Sequence, residues 1–298
     1  MKLLVTGATG QVGWELARSL MPLGEVVALD RTACDLSRPD TLAAVVERVA
    51  PTVIVNAAAY TAVDRAETEE ALATTVNGAA VGELARAARR RGALFIHYST
   101  DYVFDGRGET PIAEDAPTCP LNAYGRSKLA GEAAVRDSGA DALVLRTTWV
   151  YGARGHNFLR TMLRLAAERE ELRVVADQFG APTWARNIAD ATAQIVPLAM
   201  AERCAGHFQS AVLNLTNAGV TSWHGFATAL IEEARRRRPN LTLKVGRVLP
   251  IATTDYPLPA PRPANSRLDG GALARRYGLA LPPWEQAMAR CIEDILES

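Results

Sequence analysis

With 298 residues the chain is long enough for one dinucleotide-sized domain and a smaller one around a sizeable core. Hydrophobic residues at 48%, charged residues at 22% and a formal net charge of +0 argue against disorder and ask for no nucleic-acid partner. Four scattered cysteines without a C-x-x-C pair and four histidines without ligand spacing argue against a disulfide framework or a zinc site, while the absence of a signal peptide or an apolar run of ~20 residues points to a cytoplasmic protein that needs no membrane.

The first apolar run, residues 3–6, leads into Thr6-Gly7-Ala8-Thr9-Gly10-Gln11-Val12-Gly13 and an amphipathic helix expected over 14–21. Glycines so placed turn the chain tightly and bring backbone N–H groups to a pyrophosphate at a helix N-terminus. The glycines alone are a weak signal; a strand before and a helix after supply the context the fingerprint requires. Gly7, Gly10, Gln11, Val12 and Gly13 are therefore expected to line a dinucleotide.

A second strand, 26–29, ends at Asp30, about 17 residues beyond Gly13, where an acid can accept from the adenosine ribose of NAD. Arg31 follows, and a guanidinium there suits the 2′-phosphate of NADP. The two neighbours pull in opposite directions, which predicts dual tolerance with a lean to NADPH. Asp35 and Leu36 stand where they could flank the adenine. The third strand, 53–56, ends in Asn56-Ala57-Ala58-Ala59, small residues that suit either approach of a nicotinamide ribose or simple packing. Basic clusters at Arg86, Arg89, Arg90 and Arg91 and at 235–238 fall where helices are expected to end, and complement the helix dipole.

The fourth strand, 94–98, runs into His97-Tyr98-Ser99-Thr100-Asp101-Tyr102-Val103-Phe104-Asp105-Gly106. Ligands of open α/β sheets bind outside the carboxyl ends of the strands, so Thr100 is placed to hydrogen-bond a reacting oxygen. Tyr124 and Lys128 are four residues apart at the start of a helix and project from one face. Reducing a ketone needs a hydride and a proton. A phenol of pKa about 10 serves poorly as the acid–base group until a cation such as Lys128 lowers it. A fifth strand is expected at 143–146.

This alternation of strands and helices predicts an α/β fold, a Rossmann-type doubly wound parallel sheet over residues 1–150. After Trp149 a helical stretch at 157–170 and Pro-rich loops around Pro257, Pro259, Pro261 and Pro263 suggest that 151–298 is mainly a smaller, substrate-binding lobe. Segments 178–183 and 187–196, within a return segment near 178–198, could bring a strand and a helix back to the first lobe.

Together these residues resemble the dTDP-4-dehydrorhamnose reductases, a family of extended short-chain dehydrogenases/reductases, along essentially the whole chain. The likeness is carried by the segments 9–16, Val55-Asn56-Ala57-Ala58-Ala59 with Thr61-Ala62-Val63-Asp64, 98–104, Arg146-Thr147-Thr148-Trp149-Val150-Tyr151, 177–183, Arg262-Pro263 and 265–268. The resemblance implies reduction of the C4 ketone of a nucleotide sugar by NADPH, with NADH possible. It implies Tyr124 as proton donor, Lys128 tuning it and holding the nicotinamide ribose, and Thr100 polarising the carbonyl. Asp101 and Trp149 would contact substrate; Gly10 to Val12, Asp30, Asp35, Leu36, Ala59, Tyr60 and Thr61 would line the cofactor. Arg262 and Arg267 would be structural or would meet a diphosphate. Some relatives are described as homodimers holding Mg²⁺ through interface glutamates. Glu15 suits that role, but Arg186 stands where those relatives offer an acid, so no metal ligand is assigned.

Three alternatives are weighed against this reading. Nucleotide-sugar 4,6-dehydratases need an acid next to the Asp after the threonine, where this chain has Tyr102. UDP-sugar epimerases share the chemistry but retain NAD. A non-catalytic NADP-binding regulatory subunit would tend to lose Thr100, Tyr124 or Lys128, which are intact.

Overall fold

Strands that are apolar on both faces need cover on both sides, and the computed structural model, which describes residues 1–297, supplies it. The strands are β1 (Lys2–Thr6), β2 (Glu25–Leu29), β3 (Val53–Asn56), β4 (Leu94–Thr100), β5 (Ala142–Thr147), β6 (Val150–Tyr151) and β7 (Glu171–Val175). They continue with β8 (Phe179–Gly180), β9 (Thr183–Trp184), β10 (Ala211–Asn214), β11 (Thr221–Ser222), β12 (Arg247–Ile251) and β13 (Asn265–Ser266). Six of them form a parallel sheet in the order β10-β5-β4-β3-β1-β2.

Alternate residues face opposite cores, as the pleat dictates. Leu3, Val5, Val53, Val55, Leu94 and Ile96 pack on one side against Leu16, Ile188, Ile195 and Leu273. Leu4, Ile54 and Phe95 pack on the other against Val45, Val46, Leu84 and Val135. A separate cluster that includes Tyr151, Leu159, Phe226, Leu230, Trp284 and Ile292 forms the core of the C-terminal part.

Two features differ from expectation. The first helix is Gln11–Ser19, starting before residue 14 because Gly10 already serves as its N-cap. The strand at 178–183 does not enter the central sheet: Phe179–Gly180 pairs with β11 and β13, and Thr183–Trp184 with β6. The sixth strand is instead Ala211–Asn214, alongside β5. Its four residues carry too short an apolar run to separate from a loop by periodicity. The helix Ala185–Cys204 packs on Gln11–Ser19.

The strand order reverses between β1 and β3, and there the loops after both strands meet. An open sheet of this kind binds ligands at such a point.

Candidate active site

The glycine turn is built for close approach. Gly7 has φ +71, a Cβ on it would stand 2.7 Å from the Ala58 nitrogen, and a Cβ on Gly13 would stand 2.0 Å from the Gly7 oxygen. No side chain caps helix Gln11–Ser19, so its first N–H groups are available to an anion, as a dinucleotide pyrophosphate requires. The cradle fits that cofactor. Gln11 is also engaged on the far side, its Oε1 accepting from Asn157 Nδ2 at 2.8 Å.

At the end of β2, Asp30 accepts from the Thr32 hydroxyl at 2.6 Å and from the Thr32 and Ala33 nitrogens. The Thr32 hydroxyl leads these bonds in holding its carboxyl below the ordinary range. Arg31 is 76% exposed and pairs with Asp35 at 3.4 Å, an exposed ion pair of little strength that leaves the guanidinium free to turn to a phosphate. Asp35 also accepts from the Ser37 nitrogen and hydroxyl. The Leu36 side chain belongs to the core cluster that includes Cys34 and Leu42. The loop Ala59, Tyr60, Thr61 is held by Asn77, which accepts from the Tyr60 nitrogen and donates to its carbonyl, both at 2.9 Å. Asn77 lies in a π-helical turn, Thr75–Ala79, and also donates to Ser127. Such turns are frequent at functional sites, but nothing in the local sequence pattern marks this one.

At the end of β4, Thr100, Asp101 and Tyr124 gather. Tyr124 opens helix Ala123–Ser138, whose cap Asn122 accepts from the Gly125 nitrogen at 2.8 Å. Thr100 donates to Asp101 at 3.1 Å, and the other carboxyl oxygen of Asp101 is buried without a hydrogen-bond partner. Burial pushes the Asp101 carboxyl up to about 6. Burial and then the Asp101 charge push the Tyr124 phenol above its ordinary value, with the Thr100 hydroxyl drawing it back. Tyr102 meets the Tyr124 ring edge-on, centroids 5.7 Å apart.

Lys128 shares a helix face with Tyr124 yet is drawn into the sheet: Nζ donates to the Tyr98 carbonyl at 2.6 Å and lies 3.3 Å from His97 Nε2. Burial lowers it to about 8. The hydrogen-bond partners of Lys128 Nζ in this arrangement are thus the Tyr98 carbonyl and His97.

Trp149 adopts φ +46, unusual for a side-chain-bearing residue, and its ring stacks on Trp223 at 3.6 Å and 12°. Trp223 is fixed by its Nε1 donating to Gln178 at 3.1 Å. A Cβ on Gly180 would stand 2.9 Å from the Trp149 ring, which gives the 178–183 segment a role in seating this tryptophan. Trp223 lies 74 residues away in sequence, so only the folded chain pairs them. Arg262 grips Asp64 with both nitrogens, at 2.6 and 2.8 Å, so its charge is already met within the protein. Arg267 lies over the Phe179 ring and donates to the Glu109 carbonyl, with its Nε buried and unpartnered.

Glu15 is buried, and burial raises its carboxyl pKa; Arg186 and Arg18 oppose this while Asp190 and Asp294 add to it. Arg186 pairs with Asp190 at 3.9 Å. No group of three His, Cys, Asp or Glu among the described residues converges to hold a cation. These surroundings do not fit Mg²⁺, and no step is drawn through it.

The parallel sheet and the glycine turn at its switch point define a Rossmann-type enzyme fold that takes a dinucleotide. The family model described as the RmlD substrate binding domain matches residues 1–297. A dTDP-4-dehydrorhamnose reductase of Burkholderia thailandensis is 60% identical over 296 residues, 99% of each chain. The crystal structure of such a reductase from Clostridium acetobutylicum superposes with a TM-score of 0.89 at 33% identity, covering 100% of both chains. One from Bacillus anthracis, in complex with NADP, gives 0.87 at 33% identity, covering 98% of this chain and 99% of that one. The chain belongs to the dTDP-4-dehydrorhamnose reductase family.

Proposed function

We propose that the chain reduces the C4 ketone of dTDP-4-dehydro-L-rhamnose to dTDP-L-rhamnose with NADPH. What supports this most is the gathering of Thr100, Asp101 and Tyr124 at the end of β4. When bound, NADPH supplies the hydride. The Thr100 hydroxyl donates to the ketone oxygen, and Tyr124 Oη delivers the proton that the developing alkoxide needs. A phenol whose surroundings hold it protonated is suited to donating in this direction. Lys128 holds the nicotinamide ribose and returns a proton to the phenolate. Asp101 and Trp149 hold the sugar. Reduction is favoured over dehydration because Tyr102, which has no carboxyl group, stands against the Tyr124 ring. The same reading makes the protein a cytoplasmic homodimer; no helix among the described residues is long and apolar enough to cross a membrane.

The test is NADPH oxidation with dTDP-6-deoxy-L-lyxo-4-hexulose, with and without EDTA. Substrate-dependent oxidation that EDTA leaves unchanged is expected. No oxidation rejects the function, and inhibition by EDTA rejects the view that the Glu15 surroundings need no metal.

Arg31 sets the cofactor lean. Arg31→Ala is expected to weaken NADPH by about 10-fold, the scale of one charge-assisted contact, and NADH by much less. Titration of the two cofactors by fluorescence measures this, and equal losses remove the reason for preferring the phosphorylated form.

A further inference from the structure

The Gln11 side chain reaches from the glycine turn to the C-terminal part of the molecule, and the polarity of its amide is set there. Asn157 caps the helix Phe158–Glu168, whose Leu159, Met162 and Ala166 lie in the C-terminal core. The Arg160 N–H can only donate, and it meets Asn157 Oδ1 at 3.0 Å. Asn157 Nδ2 is therefore the amide end turned to three oxygens: Gln11 Oε1 at 2.8 Å, the Gly152 carbonyl at 2.9 Å and the Arg154 carbonyl at 3.2 Å. A donor there would clash with the Gln11 amide nitrogen, so Gln11 Oε1 accepts and Nε2 keeps both its hydrogens for another partner. Nε2 has no hydrogen-bond partner among the described residues and remains reachable from solvent. The loop also lies against the stem of this side chain, since a Cβ on Gly155 would stand 3.2 Å from Gln11 Cγ. Gln11 itself opens the helix whose first N–H groups no side chain caps.

We propose that Asn157 is a positioning residue for the cofactor, holding the Gln11 amide from the C-terminal part so that Nε2 is presented as a donor to the dinucleotide pyrophosphate. This rests on the cofactor cradle described above. An unrestrained glutamine offers its oxygen as readily as its nitrogen, and an amide oxygen turned to a pyrophosphate is repelled by it. Fixing the amide from behind removes that choice before the cofactor arrives and lowers the cost of ordering a flexible side chain on binding. Cofactor affinity thereby depends on a residue 146 positions further along the chain.

The cap offers variants that separate this role from a structural one. Serine at position 157 can still accept from the Arg160 N–H, but is too short to reach Gln11. Asn157→Ser is expected to weaken NADPH by about 5-fold, the scale of ordering one side chain. It should leave 2′-AMP unchanged, because that ligand carries the adenosine end of the cofactor without the pyrophosphate. Asn157→Asp keeps the cap as well, but offers Gln11 only acceptors and so turns its amide over. NADPH is then expected to weaken by about 10-fold or more, the scale of a hydrogen bond to a charged group. In a Gln11→Ala background, Asn157→Ser should have no further effect, and Asn157→Asp should show its charge alone.

Both affinities are measured by titrating the intact protein without nucleotide sugar. No loss of NADPH affinity in Asn157→Ser, an equal loss for 2′-AMP, or the same loss in the Gln11→Ala background overturns the proposal. Should Asn157→Ser not fold, the wild-type protein decides by NMR: the Gln11 side-chain amide resonances are expected to shift with NADPH and to stay with 2′-AMP. Resonances that stay in place with NADPH bound overturn it. A chain that binds neither ligand would sink the cofactor reading itself, whereas tight binding that ignores position 157 sinks this inference alone.

Discussion

Tyr124→Phe is expected to lower turnover by about 10²–10⁴-fold while NADPH still binds, since the change removes one hydroxyl and keeps the ring. Thr100 bonds that hydroxyl, the Asp101 charge acts on it, and the Tyr102 ring meets the Tyr124 ring edge-on. Each could polarise or position the ketone without it, but none has a proton in the same place. Among the described residues Asp101 is the acid whose charge acts on Tyr124, and burial pushes its carboxyl up to about 6. Steady-state NADPH oxidation gives turnover, and fluorescence titration gives cofactor affinity. Unchanged turnover removes Tyr124 from the reaction. Loss of both properties together would instead mean that the ring supports the fold of the site.

The largest effect on stability is expected at Glu132. Arg146 and Glu132 are 4% and 7% exposed and meet through two bonds of 2.8 and 2.7 Å, with a third from Arg146 to the Glu114 carbonyl. Removing the carboxylate leaves a buried guanidinium with one backbone partner, over the Phe104 ring. Glu132→Ala is expected to cost about 3–5 kcal/mol, read as a lower midpoint of urea unfolding. The double replacement Glu132→Leu with Arg146→Met should recover most of this, because taking both charges out removes the desolvation cost as well as the attraction. A loss below about 1 kcal/mol in the single variant would mean that water reaches the guanidinium.

Much of the site was legible because its parts are local. The glycine turn, Thr100 at a strand end and the Tyr124–Lys128 spacing are each short patterns with a mechanical reason, and chain order places them at strand ends of a parallel sheet. Other partners were hidden because they come from distant segments. Trp223 seats Trp149, Asn77 holds the Tyr60 loop, and Asp64 neutralises Arg262 from 198 residues away. His97 was visible as one polar residue in an apolar strand, but polarity alone gave it no partner. Leu36 stands after Asp35, and its apolar side chain joins the core cluster that includes Cys34 and Leu42.

By itself the sequence determined the class of fold, the phosphate cradle and the set of reactive side chains, because hydrophobic period and motif spacing act over a few residues. The tertiary structure decided which strand completes the sheet and which face each reactive group meets. Those outcomes depend on register between strands, where Thr6, Asn56 and His97 come side by side, and no local pattern encodes that alignment.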